Sequence, residues 1–261
     1  MIKREFKDGM PCKANGDDGD ALLFAALKFA SSSYKPIEDL EAIKSCQDET
    51  GRFWRSPGRK GNDKVNSFSR DMALGVILMA VSAGDRNFEG SFTSWCKYIK
   101  KTGRLCPNTT DNRAVIIPAM WWLISYVDPK LAPAYYSLTR FLLKPYLWIE
   151  AAVTPAGYQR HLVAVSIFIL MILQDSRGCR GLTHAVAGEL ADKESKNPFF
   201  QWLRGHDEDA KLILESIENK VENNPGSRTQ WAWERTDSEE AWRDSCGHDI
   251  DFMRNLLNGA L

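Results

Sequence analysis

The sequence predicts an all-α fold, an (α/α) toroid-like barrel of about five to six helical hairpins with inner and outer helix layers. Three observations predict it. Segments that are apolar nearly all round recur along the chain, and such segments need burial on every side. Between them lie segments with one apolar and one charged face, suited to covering a core. One segment of each kind makes a repeat of about 45 residues, the scale of helical-hairpin arrays. The repeat is one of pattern, without a fixed motif, and strand signals are scarce.

The inner-type segments begin at Asp18 (DGDALLFAALKFA), Ser69 (SRDMALGVILMAV), Asn112 (NRAVIIPAMWWLISYV) and Tyr158 (YQRHLVAVSIFILMIL). A short one follows at Pro198 (PFFQWL) and a last one at His248 (HDIDFMRNLL). The outer-type segments are Ile37–Cys46, Phe88–Lys100, Pro133–Tyr146, Leu182–Lys193 and Glu208–Val221. Helix-stop and turn residues separate them, as in Ala83-Gly84-Asp85, Val127-Asp128-Pro129 and Gly178-Cys179-Arg180-Gly181. Inner members buried all round do not suit an open solenoid, so the hairpins should close into a ring. Two stretches break the pattern: a Gly/Arg/Lys-rich loop at 48–66, and a loop at 223–245 containing WAWERTDSEEAWRDS. Long loops are usually functional or disordered, and the tryptophans in both argue against disorder. No linker divides the chain, so 1–261 reads as a single helical domain.

Composition narrows the function. The apolar share is 44% and the charged share 26%, as in soluble globular proteins. Lys plus Arg balances Asp plus Glu at 34 each, which leaves no global basic field for nucleic acid. The longest apolar run, Leu162 to Leu173, is too short to span a bilayer, so no membrane partner is expected. The six cysteines form no CxxC pair, so zinc-ribbon spacing is absent. The amino-terminal MIKREFK lacks the apolar core of a secretory signal. A cytoplasmic location, or release without a signal peptide, is expected. HExxH, P-loop and GxSxG motifs are absent, and DDGD at 17–20 lacks EF-hand spacing. No metal and no cofactor are expected.

Polar residues gather where the inner segments start. Asp17, Asp18 and Asp20 precede the first, and Ser69, Arg70 and Asp71 open the second. Asp111, Asn112 and Arg113 open the third; Tyr158, Arg160 and His161 the fourth; Ser245, His248 and Asp249 the last. In a ring of antiparallel hairpins these starts share one end, which would form a polar pit above an apolar barrel. Taken singly, each acid suits a helix cap or the positive end of the helix dipole. Arg70, Arg113 and Arg160 do not suit that end, so they point to bound acids, either neighbouring aspartates or an anionic ligand. Arg52, Arg55, Arg59 and Lys60 surround Phe53 and Trp54 in the first loop, as a solvated basic loop or as a platform beside the pit. Trp231, Trp233 and Trp242, with Glu234 and Arg235, offer a second wall. His161, on an apolar helix, reads first as a core histidine. Cys246 and His248 are two residues apart, which does not place them face to face on a helix.

These features resemble the six-hairpin glycosidase and polysaccharide-lyase superfamily of (α/α) toroids. The likeness is architectural, along nearly the whole chain. It rests on hairpin number, on Asp18, Asp20, Asp71 and Asp111 at inner-helix starts, and on the Trp/Arg loops. The resemblance implies a glycoside hydrolase acting on an acidic poly- or oligosaccharide through paired carboxylates, one as acid and one as base or nucleophile. Asp18 and Asp20 would face Asp71 and Asp249 as catalytic groups. Trp54, Arg55, Arg70, Asp111, Arg113, His161 and Trp233 would bind substrate, with Trp54 stacking on a sugar ring. Two alternatives stand beside it. One is a lyase on the same scaffold, with Tyr158 or His161 as base. The other is a non-enzymatic helical binding or assembly protein, whose pit acids would be paired internally and leave no open cleft. The sequence leaves the glycan's identity and the oligomeric state open.

Overall fold

The computed structural model describes residues 3–62, 68–84, 88–106, 115–175, 181–223, 226–232 and 242–259. The chain is mostly helical, as expected. A short antiparallel hairpin, β1 (Glu5–Lys7) and β2 (Met10–Cys12), precedes the helices. Sequence patterning passed over it, yet Asp8-Gly9 is a two-residue hairpin turn. Both residues have positive φ, 53° and 78°, which suits a type I′ connection.

The helices follow in order: α1 (Ala21–Ser31), α2 (Ile37–Lys44), α3 (Arg70–Ala83), α4 (Glu89–Thr102), α5 (Pro118–Val127) and α6 (Ala134–Thr139). Then come α7 (Leu143–Val153), α8 (Tyr158–Asp175), α9 (Gly181–Lys193), α10 (Pro198–Arg204), α11 (Asp207–Asn223) and α12 (His248–Leu257). Local chemistry sets several boundaries. Asn197 caps α10 by accepting hydrogen bonds from the Phe199 and Phe200 amides, Pro198 opens the helix, and Gly205 ends it at φ 89°. The third inner segment starts at Pro118 rather than Asn112, because proline suits a first turn. The outer segment expected over 133–146 is instead α6, a 3-10 turn (Arg140–Leu142) and α7. Pro145 explains the break: it has no N–H to donate back, and its ring crowds the carbonyl four residues earlier.

The inner-type helices form the core. α1 packs between α3 and α12; α5 and α8 adjoin α3, and α10 bridges α8 and α12. α3 also touches α8 directly, so side chains fill the middle of the molecule. The outer-type helices lie against them, α2 on α1, α4 on α3, α9 on α8 and α10, and α11 on α10 and α12. α1 and α3 approach most closely at Gly75, where a Cβ would lie 2.8 Å from Leu23 Cα.

Ring contacts show how the helices run. Phe24 in the first turn of α1 lies 6.5 Å from His161 in the first turn of α8. His161 lies 5.8 Å from Phe199 at the start of α10, and Phe199 lies 5.1 Å from Phe252 in α12. Arg70, at the start of α3, donates to the Val115 carbonyl just before α5 (3.2 Å). At the far end, Asn255 of α12 donates to Ser31 at the end of α1 (3.4 Å). The starts of α1, α8, α10 and α12 therefore lie at one end of the molecule.

Candidate functional site

The end where these helices start is packed rather than hollow. The Trp231 ring lies parallel to Phe24, with centroids 3.7 Å apart. Its indole N–H donates to the Gly19 carbonyl (2.9 Å), which pins the ring over the start of α1. Phe24, Trp231 and His161 are all buried. Where the sequence predicts a polar pit, aromatic rings close the middle, and polar groups surround them.

Asp18 is buried and held from the 48–62 loop. Ser56 Oγ donates to its Oδ2 (2.8 Å), and Arg59 donates through Nε (2.9 Å) and a terminal nitrogen (3.0 Å). Burial pushes the carboxyl upward, but the Arg59 and Ser56 hydrogen bonds outweigh it and hold Asp18 below the usual carboxylate value. An acid held ionised by a bidentate arginine is a poor proton donor to a leaving group.

Asp249, in the first turn of α12, is 0% exposed. It accepts from Ser245 Oγ (2.6 Å), the Ala232 amide (2.6 Å) and its neighbour Ile250 (3.0 Å). Burial raises its carboxyl above the ordinary value against those hydrogen bonds. The group stitches the 226–232 segment to α12, and in this arrangement no glycan reaches it. Asp20 and Asp71 remain half-buried at the starts of α1 and α3, and each is engaged in further interactions. Asp20 has a left-handed backbone (φ 59°), and its carboxylate does not cap α1.

The proposed substrate contacts are placed as follows. Trp54 is 5% exposed and turned inward. Its N–H donates to Asp48 Oδ2 (2.7 Å), and the Arg52 guanidinium covers its ring at 3.7 Å. Arg52 itself is buried and donates to Cys106 Sγ (3.1 Å). This is a folded loop rather than a solvated one, organised by Asp48, which also accepts from the Thr50 and Arg52 amides. A sugar-stacking role for Trp54 needs a face that Arg52 now occupies. Arg55 is half-buried near Asp18, and Arg70 is spent on Val115. His161 is buried between Phe24 and Phe199, and burial takes its imidazole down to about 3. That keeps it neutral and a weak base, so it fits the core-histidine reading better than a lyase base. Asp111, Arg113 and Trp233, like Glu234 and Arg235, lie outside the described residues.

No family model, no curated protein and no solved structure matches this chain.

Of the first-turn arginines, Arg160 does bind an acid. Its guanidinium reaches Glu194 (2.8 Å) and the Thr154 carbonyl (2.6 Å), all buried. The partner comes from the turn after α9 rather than from a pit aspartate, a pairing 34 residues apart in sequence. The Ser56–Asp18–Arg59 cluster and the Trp231 plug likewise join residues far apart in sequence, with no local signal. Ser245, four residues before Asp249, was the only local signal of the Asp249 arrangement. Cys12, Cys46, Cys96, Cys106 and Cys246 are buried free thiols; burial holds Cys246 well above the ordinary thiol range and Cys96 up to about 12. Neither is a nucleophile poised at neutral pH. His248 reaches away from Cys246, with Nε2 at 2.9 Å from the Glu5 carbonyl. Among the described residues, no group of three or more His, Cys, Asp or Glu side chains is placed to hold a metal ion. Nor is any described helix long and apolar enough to cross a membrane.

Proposed function

We propose that this chain is a non-enzymatic helical assembly protein, built as a compact (α/α) toroid whose centre is packed solid. The observation that carries the reading is the state of the acids at the helix starts. Asp18 is neutralised by Arg59 and Ser56, Asp249 is fully enclosed by Ser245 and backbone amides, and Trp231 caps the space between them. Glycoside hydrolysis needs two accessible carboxylates on either side of a cleft wide enough for a sugar. Here the two most strongly held acids serve as structural acceptors. The toroid itself is supported by the order in which inner helices adjoin, and by the shared end at which α1, α8, α10 and α12 start. The β1–β2 hairpin is tied to the start of the last inner helix, α12, through Arg4 and Asp251 (2.6 Å).

A glycoside hydrolase on an anionic glycan is the second reading. It is favoured by Asp20, with its left-handed backbone and half-buried position at the start of α1, and by Asp71 at the start of the adjoining helix. A panel of neutral and acidic polysaccharides, followed by reducing-end release and by ultraviolet absorbance of unsaturated product, decides between them. The assembly reading expects no turnover of either kind. Turnover that Asp20→Asn and Asp71→Asn each abolish, with helical circular dichroism intact, would establish the enzyme instead.

A further inference from the structure

The outer surface of α6 and α7 is unlike the rest of the molecule. Between positions 134 and 153 every exposed residue is apolar or aromatic, and none is charged. Leu138 is 78% exposed, Phe141 65% and Val153 71%, with Trp148 and Ile149 each about half exposed. The opposite side of α7, carried by Leu143, Leu147 and Ala151, is buried against its neighbours. α7 therefore has two apolar faces, and the structure covers only one.

From Leu138 onward the exposed positions fall at 138, 141/142, 145, 148/149 and 153, in steps of three or four. Within α7 that spacing sets Pro145, Trp148, Ile149 and Val153 along one side of the helix, and Leu138, Phe141 and Leu142 extend this apolar seam across the 3-10 turn into α6. The exposed parts of Leu138, Phe141, Leu142, Trp148, Ile149 and Val153 present roughly 700 Å², close to the about 800 Å² per partner of a standard interface and above the few hundred on an ordinary monomer surface.

We infer that this seam is the two-fold interface of a homodimer, α6–α7 of one copy lying antiparallel on α6–α7 of a second. The inference rests on the assembly reading above and names its partner. A two-fold contact must be self-complementary, and this seam is so about Pro145. With Pro145 on the axis, Phe141 meets the second copy's Ile149, and Leu142 meets the second copy's Trp148. Each large ring then faces an aliphatic side chain. A lipid surface is a poorer occupant, because interfacial helices carry a basic polar flank. Here Arg140 turns back over the Tyr126 ring (5.5 Å), and the half-buried Lys144 is the one other cation between 134 and 153, too little for a basic flank.

The test is sedimentation equilibrium of the full chain from 1 to about 50 µM, a range that brackets ordinary specific dimers. The expected mass is twice the 29.5 kDa chain. Phe141→Glu and Ile149→Glu should each raise the dissociation constant at least about 100-fold, because one charge enters each of two symmetry-related apolar contacts. Both positions are exposed in the single chain, so helical circular dichroism and the unfolding midpoint of the monomer stay unchanged. The double variant F141K/I149E places lysine opposite glutamate in the antiparallel register and should recover dimer. A wild-type monomer throughout the range overturns the inference, as does a dimer indifferent to both glutamates. A monomer that floats with phosphatidylcholine/phosphatidylglycerol vesicles overturns it too, and assigns the face to lipid. None of these results bears on the assembly reading at the helix starts, which only glycan turnover removes.

Discussion

Gly75 offers a prediction whose sign depends on the fold. Gly75 lies inside α3, where alanine would normally stabilise by about 1 kcal/mol through helix propensity. A Cβ there would sit 2.8 Å from Leu23 Cα, 2.9 Å from Leu22 Cδ2 and 3.0 Å from the Leu22 carbonyl oxygen. Carbon atoms rest at about 3.5–4.0 Å, so α1 and α3 must part by roughly 1 Å. Two of the three obstructing atoms are backbone and cannot rotate aside. Overpacking of this sort costs about 1–3 kcal/mol, and rigid neighbours put Gly75→Ala at the upper end. Set against the propensity gain, a net loss of about 2 kcal/mol is expected, or roughly 4–8 °C in Tm for a chain of this size. Gly188→Ala is the control: it lies inside α9 with nothing within 4 Å of its added Cβ, and should gain about 0.5–1 kcal/mol. Urea unfolding followed by circular dichroism measures both. If Gly75→Ala matches or exceeds the wild type, the close α1–α3 approach is wrong, and with it the packed centre.

Three further outcomes follow from buried polar groups. Asp249→Asn puts an amide where the Ala232 N–H now finds an acceptor, so it should destabilise by about 1–3 kcal/mol; equal stability in urea would show that this carboxylate is not structural. Arg160→Met leaves Glu194 buried without its guanidinium and should cost about 3–5 kcal/mol. Much of that should return in R160M/E194M, and a double variant no better than the single one would contradict the pairing. Stability should also fall with acid. His161 stays neutral in the fold down to about 3, while in the unfolded chain it protonates near 6.5. Below 6.5 the unfolded state binds more protons, so stability is lost as pH drops through that window, by up to about 1.4 kcal/mol per pH unit. His248, also lowered by burial, adds to this, whereas Asp249, raised by burial, acts in the opposite sense above 3.8. The measurement is therefore the difference between the wild type and His161→Phe, and identical pH slopes in the two would refute it.

The chain by itself determined its helices and their two classes. Helical periodicity is a local property, so the inner-type segments at 21–31, 70–83 and 158–175 were legible from apolar residues within a few turns. Local steric rules are legible too: Asp8-Gly9 announces its hairpin and Pro145 its break. Function-bearing detail was not local. Asp18 meets Arg59 across 41 residues and Arg160 meets Glu194 across 34. An acid at a helix start looks the same in sequence whether it faces solvent or a guanidinium. Trp54 has the same composition around it as a sugar platform or as a ring folded under Arg52. Segment 133–146 reads as an ordinary outer helix, and only the burial of Leu143, Leu147 and Ala151 in the structure shows which apolar face is left over. Which side chains exist is written in the chain, and which of them lose their water is decided by the packing of segments far apart in sequence. Charge state, accessibility and partnership all depend on that second fact.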